Sequence, residues 1–517
     1  MNIKQAKQQI EYAVRAYLTK DEFGDPVVPM ERQRPVFLLG APGIGKTAIM
    51  EQIAQELGIG LVAYSMTHHT RQSALGLPFI VKEAFDGREY DVSEYTMSEI
   101  IASVHQCVRE SGIREGILFL DEINCVSETL APSMLQFLQF KTFGRHRVPE
   151  GWVVVTAGNP PEYNSSVREF DVVTLDRLKR IDVEPDYDAW KEYALARAVH
   201  PAVTSYLEIR RDDFYRVEST VEGKRFVTAR GWVDLSDMLK LFEQKGFPVD
   251  EPLIRQYLQN DAVAKSFAAY YDLFSKYRAD YQVERILAGK AGADVLERAR
   301  NARFDERLSL LGLLTDAART DVRAVLRRYD ALEGVMNRLR ARKAQFAAAD
   351  RDAAAALLGE MAERLRAETA ARSQANALSR ESARVRRQAE ALLEAFAAGL
   401  PAERAPYPWL AERFEAETRA LAGRAAEARD RLEHMFAFAE TAFPDGQELL
   451  ILVTELSVDP DSARFIGKYG CDAYFRHNRS LMFYERGREI AREIGELGLE
   501  PAPADRPAEN QNLPFPR

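Results

Sequence analysis

The sequence is poor in cysteine. Among 517 residues there are only 3 cysteines, which are Cys107, Cys125 and Cys471. They lie far apart, their number is odd and no two form a Cys-x-x-Cys pair, so neither a disulfide framework nor a zinc knuckle is indicated. We therefore expect a reducing compartment and place the chain in the cytoplasm.

Long apolar runs are missing as well. No apolar stretch approaches the roughly 20 residues that a helix needs to cross a bilayer. The first residues, "MNIKQAKQQIEYAVRAYLTK", carry Ile3, Ile10, Ala13 and Val14 on one side of a helix, which is not the pattern of a signal peptide. The sequence thus predicts no membrane span.

There is no excess of positive charge. The formal net charge is -9 at pH 7, which argues against a protein that coats nucleic acid with its whole surface but leaves room for a local basic groove. A hydrophobic fraction of 46% is typical of a globular chain. A chain of this length is expected to form two or three domains.

Proline is absent between Pro252 and Pro401. From about residue 291 the composition shifts to Ala, Arg, Glu and Leu, which predicts long helices packed as a hairpin or coiled coil. The Ala-rich part keeps no strict apolar a/d register. We expect a helical arm over 291–442 that serves as an interaction surface or spacer, a compact helical segment over 443–500 and a disordered tail over 501–517.

The first part of the chain alternates short apolar runs with helical patterns. The runs are "PVFLL", "GLVAYSM", "GILFLDE", "WVVVTAGN" and "RIDVEP". This alternation predicts an α/β domain with a parallel sheet covered by helices on both faces. We expect the α/β nucleotide-binding domain, with its N-terminal helix, over 1–188 and a helical lid over 189–290.

A phosphate-binding loop follows the first apolar run. In "GAPGIGKT", Gly40–Thr47, backbone N–H groups can cradle the β- and γ-phosphates of a nucleotide, Lys46 adds a positive charge, and the Thr47 hydroxyl is a ligand for Mg²⁺. The candidate nucleotide-binding residues are Gly40, Ala41, Pro42, Gly43, Ile44, Gly45, Lys46, Thr47 and Ala48.

Two further motifs end apolar strands. Asp121 and Glu122 close "GILFLDE"; Asp121 can hold the Mg²⁺ shell, and Glu122 can polarise an attacking water, which hydrolysis requires and simple nucleotide binding does not. Asn159 follows "WVVVTAG", and its amide can hold the same water from the opposite side. The alternatives are an acidic helix cap for the carboxylates and a plain turn for Asn159.

Gly40–Thr47, Asp121–Glu122 and Asn159, together with "TLDRLKRI" and "TARGW", resemble an AAA+ ATPase, and most of all its MoxR branch. The resemblance covers residues 1–290. It implies a P-loop AAA+ core with a helical lid, to which this chain adds a long α-helical C-terminal extension.

The resemblance also assigns three arginines. It implies that Arg177 of "LDR" reaches the γ-phosphate of a neighbouring subunit, with Arg180 as the alternative, and that Arg230 of "TAR" is a lid sensor. Surface arginines flanking helices are the alternative interpretation.

The function implied by the resemblance is ATP hydrolysis with Mg²⁺ in a homo-oligomeric, hexameric ring. Its relatives remodel or activate partner proteins, often ones with a von Willebrand factor type A domain. ATP is preferred to GTP because no N/TKxD guanine-reading motif follows the Asn159 strand. A nucleic-acid-translocating motor and a slow nucleotide-gated scaffold remain as alternatives.

Two insertions lie between the motifs, and in the MoxR branch such insertions line the central pore. Residues 77–96 predict a β-hairpin around Asp86-Gly87. Residues 140–152 form a second loop with a basic patch, which nucleic acid could use if the loop is not simply solvated. The patch consists of Lys141, Arg145, His146 and Arg147; the stretch "SRESARVRRQ" (379–388) is a second arginine-rich segment.

The adjacent pair His68-His69 is not predicted to bind metal. Neighbouring side chains on a strand point to opposite faces, and no Asp, Glu or Cys nearby completes a set of ligands. A switch role for Thr67 or His68, relaying the nucleotide state to Glu122, stays open.

Overall fold

The computed structural model describes residues 1–68, 76–164, 166–220, 223–444 and 447–479. The predicted tail over 501–517, residues 480–500 of the predicted compact segment and the histidine at position 69 lie outside these ranges. Within them, no helix combines the length and the apolar character needed to cross a bilayer.

The first part of the chain is built on a five-stranded parallel sheet. Its strands are β1 (Val36–Gly40), β2 (Gly60–Ser65), β5 (Gly116–Asp121), β8 (Trp152–Gly158) and β9 (Lys179–Val183), in the order β2-β5-β8-β1-β9. The central strand β8 is buried along its whole length, because helices cover both faces of the sheet. The α/β fold and the five predicted strands are confirmed.

Helices pack on the two faces of this sheet. They are α1 (Ile3–Leu18), α2 (Lys46–Leu57), α3 (Glu99–Ser111), α4 (Ala131–Phe140) and α5 (Val172–Leu175). α1 and α2 contribute to one hydrophobic cluster, and α3 and α4 contribute to another on the opposite face. Of the predicted apolar side of α1, Ile10, Ala13 and Val14 are buried and Ile3 is half-buried, and Ala6 is buried beside them.

Two β-hairpins interrupt the alternation. β3 (Pro78–Phe85) pairs with β4 (Arg88–Tyr95) in antiparallel register. The turn between them places Asp86 at φ 50° and Gly87 at φ 79°, the left-handed conformations of a tight hairpin turn. The predicted hairpin is confirmed. A shorter hairpin joins β6 (Thr142–Phe143) to β7 (His146–Arg147).

A mostly helical unit follows the sheet, and we call it the lid. It consists of α6 (Tyr187–Ala196), α7 (Pro201–Ile209), β10 (Arg216–Thr220), β11 (Gly223–Val227), α8 (Ala229–Lys245), α9 (Glu251–Tyr257) and α10 (Asp261–Tyr281). Its core is aromatic: the rings of Trp232 and Phe267 meet edge to face with centroids 5.2 Å apart, a favourable arrangement. The lid thus has a hydrophobic cluster of its own.

The rest of the described chain forms a helical body. Its helices are α11 (Val283–Leu287), α12 (Ala293–Asn301), α13 (Phe304–Ala341), α14 (Lys343–Ala348), α15 (Arg351–Gln374), α16 (Arg380–Gly399), α17 (Pro406–Ala442), α18 (Gln447–Val458) and α19 (Pro460–Tyr469). One hydrophobic cluster runs through it from Tyr281 to Tyr474. α15 and α16 pack on each other as a helical hairpin. The predicted long α-helical extension is confirmed.

The helical body is attached to the lid. α13 packs against α7, and Leu313 of α13 belongs to the hydrophobic cluster of the lid. Tyr270 and Ser309 share a hydrogen bond of 2.8 Å between their hydroxyls, and Arg323 donates to the carbonyl of Leu195 at 2.8 Å. The extension is therefore an integral part of the fold and not a free spacer.

Candidate nucleotide-binding and hydrolysis site

The candidate site lies at the carboxyl edge of the parallel sheet. β1, β5 and β8 all end at this edge, so the loops that follow them meet there. The loop after β1 turns into α2 through Gly43 at φ 74° and Gly45 at φ 102°. Residues that carry a Cβ rarely adopt these φ angles, so glycine is favoured at both positions.

Lys46 is almost fully buried beneath this loop, with 7% of its surface exposed. Its Nζ donates to the carbonyls of Gly40 and Ala41 at 2.6 and 3.0 Å, and to Oδ1 of Asn159 at 2.8 Å. Burial lowers the pKa of Lys46 to about 8, and the Asp121 carboxylate only partly offsets this effect. Two predicted site residues, Lys46 and Asn159, are thus in direct contact.

Binding of ATP is expected to be accompanied by proton uptake at pH 8.5. Above its pKa of about 8, the Lys46 amine is mostly neutral, and phosphate oxygens beside it favour the charged form. Protein and nucleotide together should therefore take up a proton, and ATP affinity should fall as the pH rises above about 8. Calorimetry in two buffers of different ionisation enthalpy measures the uptake.

Lys141 provides the matched control for this experiment. Burial also lowers its pKa to about 8, but its Nζ donates to the carbonyl of Gln33 at 2.5 Å and not to the phosphate loop. The uptake should persist in Lys141→Met and disappear at pH 6.5. No uptake at pH 8.5, or proton release, would contradict the assignment.

Thr47 and Asp121 form the candidate Mg²⁺ site. The Thr47 hydroxyl donates to Oδ2 of Asp121 at 3.2 Å. Mg²⁺ prefers oxygen ligands and commonly takes one or two from protein and the others from phosphate and water, so this pair fits the ion. The described residues contain no cluster of three or more His, Cys, Asp or Glu side chains arranged for metal binding.

The Glu122 carboxylate is held by two hydroxyl groups at the end of β2. Its Oε2 accepts hydrogen bonds from Ser65 Oγ at 2.9 Å and from Thr67 Oγ1 at 3.1 Å. Ser65 is aligned with Asp121 in the register of β2 and β5. Glu122 has a left-handed φ of 56°, a strain of about 1–2 kcal/mol. Strain of this kind is common at functional sites.

Ser65 was not among the predicted site residues, although the sequence contained a signal for it. It ends an apolar strand beside the Asp121 strand, and polar residues at that edge of a parallel sheet face the site. Thr67, for which the sequence left a switch role open, contacts the same carboxylate oxygen.

Asn124 is a second residue that sequence reasoning missed. Its Nδ2 donates to the carbonyl of Asn159 at 2.8 Å. Asn124 also packs on Gly158, where an added Cβ would lie 2.4 Å from Asn124 Oδ1. The glycine before Asn159 is therefore required by this close approach, and Asn124 supports the position of Asn159.

The lid contacts the phosphate loop of the same chain. The backbone N–H of Arg230 donates to the carbonyl of Gly43 at 3.1 Å, while its side chain is exposed. The Tyr215 hydroxyl donates to the carbonyl of Pro42 at 2.9 Å. Tyr215 carries no sequence signal, because its role depends on how the lid folds back. The structure thus places the start of α8 against the loop.

The two candidate trans-acting arginines have different environments. Arg177 is exposed, and its Nη1 donates to the carbonyl of Val173 at 3.1 Å. Val172 and Val173 beside it are 82% and 58% exposed. Arg180 instead forms an ion pair of 2.9 Å with Asp182 of the same strand. Of the two, Arg177 lies beside an exposed apolar surface.

The four cationic residues of the second loop all have partners within the chain, although the side chains of Arg145 and Arg147 stay exposed to solvent. Lys141 is buried, with 2% of its surface exposed. The other three cationic residues contact neighbouring segments: Arg145 pairs with Glu83 and Glu94, His146 hydrogen-bonds to the carbonyl of Tyr95, and Arg147 pairs with Glu31. These contacts attach the loop to the β3–β4 hairpin and to the segment before β1.

Comparisons with known proteins agree with this geometry for one part of the chain. A search of curated proteins found no significant match. Residues 35–178, which include the phosphate loop, Asp121, Glu122, Asn159 and Arg177, match the family model of the AAA domain (dynein-related subfamily), and this match supports an AAA+ ATPase.

Proposed function

We propose that the chain is a Mg²⁺-dependent ATPase of the MoxR-like branch of AAA+ proteins, which works as a hexameric ring and remodels or activates a partner protein. The observation that carries the hydrolysis in this proposal is the convergence at one sheet edge of a buried lysine, a hydroxyl–carboxylate pair and a second carboxylate; the branch, the ring and the partner rest on the sequence resemblance. These are the Lys46–Asn159 contact, the Thr47–Asp121 pair and Glu122.

Each of these groups has a role in hydrolysis. The loop N–H groups and Lys46 bind the β- and γ-phosphates. Thr47 and Asp121 would hold Mg²⁺, which neutralises developing charge on the phosphates. Glu122 accepts the proton of the attacking water, and Asn159 orients that water. Ser65 and Thr67 hydrogen-bond to Glu122 Oε2 and hold the carboxylate in place, and we propose that it turns towards the attacking water when they release it.

A direct assay tests the activity. ATP turnover, followed as phosphate release, should require Mg²⁺ and stop when EDTA is added. ATP should protect the chain in thermal melts more strongly than GTP, in line with the absence of a guanine-reading motif. Equal protection by the two nucleotides would contradict the ATP assignment.

The partner is proposed from the MoxR resemblance. We propose a protein with a von Willebrand factor type A domain, and the helical body as the surface that recognises it. Deleting the chain from residue 291 would not test this, because Leu313 and Arg323 of the body pack on the lid. Co-purification of the intact chain with such a partner, with and without ATP, is the suitable experiment.

DNA is expected to leave the ATPase rate unchanged within twofold at both 50 and 200 mM salt. The loop cations Arg145 and Arg147 are paired with carboxylates of the same chain, and the net charge is -9, so phosphates gain little attraction. Rates with single- and double-stranded DNA measure this.

The nucleic-acid motor makes the opposite prediction. Each phosphate that a motor neutralises makes binding steeply salt-dependent. A salt-sensitive stimulation that is lost in Arg384→Ala/Arg387→Ala, within the second arginine-rich segment, would replace protein remodelling by DNA translocation.

A further inference from the structure

The turn between α15 and α16 docks on the free edge of the parallel sheet. The backbone N–H of Leu61 donates to the carbonyl of Ala375 at 2.9 Å, and Nδ2 of Asn376 donates to the carbonyl of Leu61 at 3.3 Å. Because β2 is an edge strand, the N–H and C=O of Leu61 both point away from β5. The turn therefore forms two hydrogen bonds with this edge strand, one with the N–H and one with the C=O of Leu61.

The docked turn is well packed. Ala375 and Ala377 are 1% and 3% exposed, and Leu61 is 4% exposed. α15 also packs against α3, and Gln374 hydrogen-bonds to Glu110 of that helix. The contact thus combines burial with hydrogen bonds to two elements of the α/β domain.

The same strand leads to the carboxylate proposed as the base. Ser65 is four residues beyond Leu61 in β2, a distance of roughly 13 Å along the strand. Ser65 and, just after it, Thr67 hydrogen-bond to Glu122 Oε2. The docked turn and the hydroxyl groups that hold Glu122 thus lie on one strand and its direct continuation.

The other end of the helical body is held by the lid. Arg323 of α13 donates to the carbonyl of Leu195 in α6 and pairs with Asp459 at 3.2 Å and Asp461 at 3.1 Å. The lid in turn contacts the phosphate loop through Arg230 and Tyr215. The helical body thus contacts both β2, which ends beside Glu122, and the lid, which contacts the phosphate loop.

We infer that Asn376 is a positioning residue for Glu122: the docked turn holds β2 so that Ser65 and Thr67 keep the carboxylate, and release of the turn frees it to act as a base. This inference rests on the proposed hydrolysis by Glu122. The α15–α16 hairpin then slows ATP turnover for as long as its turn stays docked on β2. A partner that binds the hairpin and displaces the turn from β2 would accelerate hydrolysis.

Asn376→Gly tests the inference with little backbone disturbance. Asn376 has a φ of 54°, which glycine adopts readily, so the variant removes the hydrogen bond to the Leu61 carbonyl and weakens the docking without straining the turn. We expect kcat to rise about three- to tenfold, the factor that one neutral hydrogen bond is worth, with an unchanged KM for ATP. An unchanged or lower kcat would overturn the inference.

Combining Asn376→Gly with variants of Ser65 and Thr67 tests whether its effect on kcat passes through the hydroxyl groups that hold Glu122. In a Ser65→Ala/Thr67→Val background the hydroxyl groups are absent, so Asn376→Gly should have no further effect on kcat. The matched control is Arg364→Ala, which removes a surface ion pair within α15 and leaves the docked turn alone; its kcat should equal that of the wild type. The same rise in the double-variant background, or in Arg364→Ala, would overturn transmission through β2.

Hydrogen exchange of the full chain gives a readout that needs no turnover. Since coupling between two sites is reciprocal, a non-hydrolysable ATP analogue should change the exchange rate of the Leu61 amide, and Asn376→Gly should accelerate it. An unchanged rate in both cases refutes the coupling. If exchange responds while the wild type hydrolyses no ATP, the proposed function fails and the coupling stands.

Discussion

Replacing Glu122 with glutamine is expected to lower kcat for ATP hydrolysis by about 100-fold or more, the range that a general base contributes. Glutamine keeps the shape of the side chain and an oxygen that can accept the hydrogen bonds now made by Ser65 and Thr67, but it cannot take a proton from water. ATP affinity should stay close to that of the wild type, because Lys46 and the loop N–H groups bind the phosphates.

Single-turnover phosphate release and the binding of a fluorescent ATP analogue separate these two effects. Glu128→Gln is the matched control, since Glu128 carries the same group but forms a surface ion pair with Arg168. A remodelling motor would lose its output and remain ATP-bound in Glu122→Gln, whereas a nucleotide-gated scaffold would keep working. Normal hydrolysis by this variant would remove Glu122 from the proposed mechanism.

The second large effect is expected for Arg177→Ala, with a fall in kcat of about 1,000-fold and intact nucleotide binding. An arginine supplied by a neighbouring subunit stabilises charge on the transferred phosphoryl group and is worth 10³–10⁵ in rate. Arg177 is exposed and lies beside the exposed Val172 and Val173, as expected of a group completed by another copy of the chain.

Arg180→Ala is the matched control, because Arg180 is paired with Asp182 of its own strand. It should change kcat by less than twofold. If instead Arg180→Ala abolishes turnover and Arg177→Ala does not, then Arg180 is the residue that reaches the neighbour.

Mixed rings test whether Arg177 acts between subunits. A subunit with Arg177→Ala retains Glu122, and a subunit with Glu122→Gln retains Arg177, so a mixture of the two inactive variants should recover part of the activity. Dilution below the assembly concentration should abolish the turnover of the wild type. A fully active monomer would contradict the ring.

Much of the α/β domain could be predicted from the sequence because its signals are local. The five strands are contiguous apolar runs, and the glycines at positions 43 and 45 mark the left-handed turn into α2. The meeting of Lys46 and Asn159 followed from topology, since parallel strands place their carboxyl ends at one edge. The chemistry expected of these residues stays a prediction until activity is measured.

Other parts of the site depend on contacts that no local pattern contains. Ser65 reaches Glu122 across two neighbouring strands, and Tyr215 reaches Pro42 because the lid folds back over the loop. Lys141 lies in a basic stretch of sequence that is typical of an exposed loop, yet its ammonium group is buried against the carbonyl of Gln33. Burial of this kind is decided by long-range packing.

The helical body shows most clearly the difference between what local sequence signals determine and what long-range packing decides. By itself the sequence determined that this region is helical, because Ala, Leu, Glu and Arg favour helices and proline is absent from 253–400. Only the tertiary structure decided where the helices lie. The contact of Asn376 with Leu61 joins residues 315 positions apart, and helix propensity carries no information about which distant backbone a turn will meet.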